Sequence, residues 1–176
     1  GVPATDAKGM VTLPQMTSDA QIMVGNNITA IIEAMGVSRD TASESKYQTT
    51  VLPKITTGQV VSEAVKTALV NFITYGTKAT KVLGAGERAG VVNSFKSAFG
   101  KLPTTETDWT DVVKIANGRW PSQTNAAKET SAKTQFKKIY LRNANMAQAN
   151  DNAAVTVMSY GLRPANRNTN SEKAAI

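Results

Sequence analysis

Val70-Asn71-Phe72-Ile73-Thr74-Tyr75-Gly76 returns as Val112-Val113-Lys114-Ile115-Ala116-Asn117-Gly118 and again as Val155-Thr156-Val157-Met158-Ser159-Tyr160-Gly161. Each copy is a short aliphatic run closed by glycine, and the glycines stand 42 and 43 residues apart. Glycine is the usual helix stop, because it enters the left-handed conformation without a Cβ clash. The three runs therefore read as three helix ends at even spacing.

The register continues outward from them. Eleven residues after each glycine stands a glutamate: Glu87, Glu129 and Glu172. Pro121 and Pro164 follow the second and third glycines by three residues, where the first copy has Ala79. Phe95 and Phe99 match Phe136 and Tyr140, and Asp108 matches Asp151. A period of this length belongs to helical repeat arrays, whose units bury their apolar faces only by stacking on neighbours. The expected fold is mainly α: short helical hairpins in a degenerate tandem repeat of about 42 residues, with an irregular N-terminal arm.

Four regions follow from this reading. Residues 1–17 are the arm, with Pro3, Gly9 and Pro14 as breakers. Residues 18–83 are a helical N-terminal region, with one helix over Asp19–Met35 and another running from a Thr57 cap to Gly76. Between them, residues 37–56 read as a polar stretch with a short extended piece before Pro53. Residues 84–164 are two stacked hairpins, with helices over about Glu87–Phe99, Asp108–Gly118, Ala126–Leu141 and Asn152–Tyr160. Residues 165–176 are the truncated start of a further unit. Its helix would begin at Ser171 and Glu172, and Ile176 falls 15 residues after Gly161, where Val91 follows Gly76. So short a helix is expected to fray unless packing holds it.

Composition narrows the chemistry. The 176 residues contain no histidine and no cysteine, which removes Cys/His zinc sites, iron–sulfur clusters, cysteine nucleophiles, histidine bases and disulfides. Apolar residues make up 41% but aromatics only 6%, so the core should be thin. The net charge of +7 favours anionic partners, yet the basic residues are scattered rather than clustered. No apolar run is long enough to span a membrane. The chain begins at Gly1, which a removed signal peptide or a cut from a longer parent both explain.

Candidate sites are few. Glu87, Glu129 and Glu172 are first-turn acids that complement the helix dipole. Asp108 and Asp111 lie one turn apart, the spacing of a carboxylate pair for glycoside hydrolysis or metal binding, and equally that of a capping segment beside a core tryptophan. Gly84-Ala85-Gly86-Glu87-Arg88-Ala89-Gly90 is glycine-rich but lacks the Gly-Lys-Ser/Thr ending of a phosphate loop. No residue is assigned to catalysis, to a cofactor or to a metal. Trp109, Arg119, Trp120, Arg163 and Ile176 are the candidate partner contacts, with Trp120 alternatively packing back as a lid.

The expected function is structural or adhesive and not enzymatic: a repeat protein of a bacterial cell surface, surface layer or extracellular filament that associates with copies of itself. An alternative is a binding module for an anionic polymer, glycan more readily than nucleic acid, which requires Lys96, Lys101, Lys114, Lys137, Lys138 and Arg142 to converge on one face. Another is a carboxylate-dependent hydrolase, which requires a cleft bringing Asp108 or Asp111 near a second acid.

Overall fold

The computed structural model describes residues 11–161. These form nine α-helices and no strand: α1 Leu13–Gly25, α2 Ile28–Met35, α3 Thr41–Thr50, α4 Leu52–Ile55, α5 Glu63–Tyr75, α6 Ala85–Phe99, α7 Glu106–Ala116, α8 Ala126–Tyr140 and α9 Ala149–Tyr160, with a 3-10 turn at Lys78–Thr80 between α5 and α6. The mainly α fold expected from the capped apolar runs is what the chain adopts. Arg163, Pro164, Glu172, Ile176 and residues 1–10 lie outside the described residues.

The later helices begin and end close to their expected positions because their caps are explicit. Thr105 accepts the N–H of Asp108 at the head of α7, and Asn125 accepts that of Lys128 at the head of α8. Gly76 and Gly118 sit at φ 70 and φ 69, where a side chain would be strained. Leu141 occupies the same left-handed region at φ 58 without being glycine, and its side chain is 82% exposed.

The N-terminal third departs from expectation in four places. The arm does not extend to residue 17: α1 starts at Leu13, capped by Thr12 with Pro14 in its first turn, and Met16 is fully buried. Proline in a first turn favours a helix, since its missing N–H would be unpaired there anyway. The single helix over Asp19–Met35 is two. Asn26 turns left-handed at φ 49 and Asn27 caps α2 through its Oδ1. The polar stretch 37–56 is helical in α3 and α4, started by Asp40 accepting the Ser43 N–H and carrying Glu44 in the first turn. Finally, α5 is capped by Ser62 rather than Thr57, and Val60, inside the expected helix, is fully exposed ahead of its true start.

Most of the core is one cluster: Leu69, Phe72, Ile73, Val91, Val92, Phe95 and Trp109 are all essentially inaccessible at its centre. A second, smaller cluster lies inside the α8–α9 hairpin, made of Ala132, Phe136, Ile139, Val155 and Met158. Trp120 packs against both. α1 lies along α7 and is fastened at its middle. There the buried Asp19 accepts the Ala79 N–H at 2.8 Å and the Gln15 amide at 2.7 Å.

Candidate functional site

Trp109 is an anchor of the main cluster. It is 1% exposed, with its ring 5.3 Å from Phe72, and offers no face to a partner. The helix that carries it also carries Asp108 and Asp111, the candidate carboxylate pair. Both side chains are buried, and both are spent on holding the chain. Asp108 accepts the N–H groups of Thr104 and Thr105 and pairs with Lys101 at 3.1 Å. Burial raises its carboxyl, but the Thr104 N–H and the Lys101 ammonium outweigh burial and leave it below the usual carboxylate range. Asp111 accepts the backbone N–H and hydroxyl of Ser122, at 2.7 and 2.8 Å, and the N–H of Gln123. The Gln123 amide then donates to both acids. The arrangement pins the loop between α7 and α8. It is not the open cleft that the hydrolase alternative requires.

Arg119 and Trp120 sit in that loop. Arg119 is 9% exposed and donates through Nη2 to the Val11 carbonyl at 3.1 Å, tying the loop to the start of α1. Its Nε and Nη1 have no hydrogen-bond partner among the described residues. Trp120 donates from its indole N–H to Asn152 at 2.6 Å and lies edge-on to Tyr160, 6.0 Å away. It packs back across the α6–α7 and α8–α9 hairpins, which is the lid reading. No single-chain signal marks the Asn152 partner, 32 residues away.

Two bonding patterns recur that individual motifs did not disclose. At the base of the α3–α5 hairpin, the Tyr75 hydroxyl donates to Glu44 and accepts the N–H of the cap residue Asp40 at 2.8 Å. At the base of α8–α9, the Tyr160 hydroxyl donates to Glu129 and accepts the N–H of the cap residue Asn125 at 2.9 Å. The sequence separations are 31 and 35 in both. Burial, followed by the Glu129 carboxylate, pushes the Tyr160 hydroxyl up to about 12. At the tips of α6–α7 and α8–α9, a cation just past the left-handed cap pairs with a buried aspartate on the following helix. In one case Lys101 follows Gly100 and meets Asp108; in the other Arg142 follows Leu141 and meets Asp151 at 2.6 Å. Arg142, followed by the Asn145 N–H, pulls the Asp151 carboxyl down to about 2.

Of the six basic residues proposed to form an anion-binding face, three are engaged inside the chain. Lys101 and Arg142 hold the buried aspartates, and Lys96 donates to the carbonyls of Ile55 and Thr57. Arg88, which sequence reading did not single out, is buried. It donates from Nε and Nη2 to the Ile73 carbonyl, from Nη2 to Thr74 and from Nη1 to Leu83. The glycine-rich stretch around it is the head of α6, with Gly84 as cap and Glu87 accepting the Gly84 N–H. Among the described residues, no helix is long and apolar enough to cross a membrane and no cluster of acids is arranged for a metal.

An open groove of about 480 Å³ lies at the hairpin junction, running between α6 and α8 and ending at the last turn of α9. Its walls are small and polar, with Ser94 and Ser97 from α6, Lys128 and Ser131 from α8, and Ser159 from α9, and Gly161 lies at its end. No family model, curated protein or solved structure matches this chain.

Proposed function

We propose that this chain is a non-enzymatic structural protein built of tandem helical hairpins, which associates with copies of itself in a bacterial surface layer, filament or other extracellular assembly. The observation that carries the reading is the recurrence of two fasteners along the chain, one in alternate hairpins and one in successive hairpins. The tyrosine–glutamate–cap bond closes the bases of α3–α5 and α8–α9, 85 residues apart. The cation–aspartate bond closes the tips of α6–α7 and α8–α9. The α6–α7 and α8–α9 hairpins also meet directly: Phe99 stacks on Tyr160 at 5.9 Å, and the Asn125 amide bonds the Ala98 carbonyl at 2.7 Å. Units joined in this way present equivalent faces to whatever follows, which is the physical basis of solenoids and arrays.

The use made of the polar residues supports the same reading. The acids that looked most like chemistry, Asp108, Asp111, Glu87 and Glu129, all serve caps, loops or fasteners. Electron microscopy of concentrated protein tests the proposal. Ordered sheets or filaments with a repeat commensurate with the hairpins are expected, and dispersed single particles at every concentration would overturn it.

A further inference from the structure

We infer that the outward face of α8, with the hydroxyl-lined groove beside it, binds an acidic polysaccharide, a polymer that carries carboxylates along its length. This adds a partner to the structural reading above and does not depend on self-association. The starting point is where the excess charge sits. Between residues 112 and 150, seven cations stand against one acid, Glu129. Glu129 is taken by the Tyr160 hydroxyl. Arg119 and Arg142 are spent inside the chain, on the Val11 carbonyl and on Asp151. The four lysines of α8, Lys128, Lys133, Lys137 and Lys138, take part in no ion pair among the described residues. Lys137 and Lys138 belong to the basic set read from the sequence; Lys128 and Lys133 replace its internally engaged members. Uncompensated positive charge gathered on one element draws anions to it.

Helix phase sorts these lysines. Ala132, Phe136 and Ile139 fix the buried side of α8. Lys133 and Lys137, one turn apart, are exposed on the side turned away from it. Lys138 lies two turns along from Ser131, on the flank where Lys128 and Ser131 line the groove. At 1.5 Å per residue the four stems spread over about 15 Å of helix. That spread suits a chain of charges rather than a single ion. Asn93, Ser94 and Ser97 of α6 form the facing wall, with short donors and acceptors of the kind that pair with sugar hydroxyls. Other polyanions fit less well. Single-stranded nucleic acid is gripped by stacking bases on aromatic rings. The two rings of α8 lie on its inner side, Phe136 fully buried and Tyr140 packed on it. Arginine, whose fork matches phosphate, is absent from α8. The exposed residues of α8 are alanine, serine, threonine and lysine, with nothing long and apolar to enter a bilayer.

Fluorescence anisotropy of end-labelled decagalacturonate, titrated with the full-length chain, tests the inference. The parent should bind, and added salt should weaken the binding. K128Q/K133Q/K137Q/K138Q should weaken it about tenfold, four exposed contacts each contributing roughly a factor of two. K133Q/K137Q alone should account for about fourfold on the same basis. K46Q/K54Q/K78Q/K81Q removes the same charge from exposed lysines elsewhere and should stay within about twofold of the parent, since distant exposed charges are largely screened. All three variants should keep the parent melting temperature, because each lysine replaced is at the surface. No binding by the parent would overturn the inference. So would equal losses in the two quadruple variants, which would reduce the effect to net charge. Tighter binding of an oligothymidylate of the same charge would overturn it as well, giving the face to nucleic acid. Binding is read on dilute protein, so a failure of self-assembly does not produce a failure here, nor the reverse.

Discussion

Replacing Phe136 with alanine should loosen the α8–α9 hairpin ahead of the rest of the molecule. The ring is wholly inaccessible and lies among Ala132, Ile139, Val155 and Met158. Tyr140 is 4.5 Å from it, and the Arg142 guanidinium lies over its face at 5.1 Å. Removing a buried phenylalanine costs about 3–5 kcal/mol from lost burial and the cavity left behind. In a chain of this size that is roughly 6–20 °C of melting temperature. The local cluster has only five buried members, so it has little else to compensate with. Two tryptophans make the location of the loss measurable. W109F leaves Trp120, which touches both clusters, as the fluorescent reporter, and W120F leaves Trp109 inside the main one. In urea, F136A should shift the Trp120 transition by the full amount and the Trp109 transition by much less. F95A, in the main cluster, should shift the Trp109 transition by the full amount. A Trp120 shift under about 1 kcal/mol for F136A would refute the reasoning, since no buried ring is that cheap to remove.

Leu141 holds a left-handed conformation while exposing its side chain, so L141G should stabilise the chain by about 0.5–1 kcal/mol in urea melts; destabilisation would mean that the leucine contacts something in the folded chain. The Asp151 carboxyl is held at about 2, so its contribution is complete above the ordinary value of 3.8 and is lost as pH falls toward 2. The melting temperature of D151N should accordingly lie below that of the parent at pH 6 and converge with it near pH 2. The Tyr160 hydroxyl is raised to about 12, so stability should fall as pH rises from 10 through 12, and Y160F should flatten that decline. An unchanged alkaline limb in Y160F would mean that the Tyr160–Glu129 bond does not form in solution.

Where the sequence was legible, single residues carried the information. Gly76 and Gly118 read as helix ends because each closes an aliphatic run and takes the left-handed conformation that favours glycine, whereas Gly161 ends α9 extended at φ -79 and Gly86 and Gly90 lie inside α6. The head of α8 fell where expected, while α7 begins two residues before Asp108, at Glu106, because Thr105 is its cap. Errors arose where one residue type serves two purposes. Pro14 marks a break in mid-helix but a favourable start in a first turn, and Met16 behind it decided the matter by being buried. In 37–56, serines and threonines suggested a loop, although Asp40 followed by Glu44 is a helix start. Val60 and Val61 extended the apolar period of α5 beyond its true head, and Ser62 was the better cap. The site residues were harder, because their roles depend on partners far along the chain. Trp120 meets Asn152, Arg119 meets Val11 and Arg88 meets Ile73, and none of these pairs shares a local motif. The pairing of Tyr75 with Glu44 and of Tyr160 with Glu129 was hidden for the same reason, although the glycine register already placed the two tyrosines in equivalent positions.

Sedimentation velocity on the full-length chain across a hundredfold concentration range tests the central claim most directly. If the hairpins form a self-assembling array, the weight-average sedimentation coefficient climbs with concentration, and species well above the 18.7 kDa chain appear. A single boundary at the monomer value throughout, unchanged by salt and temperature, would contradict the account.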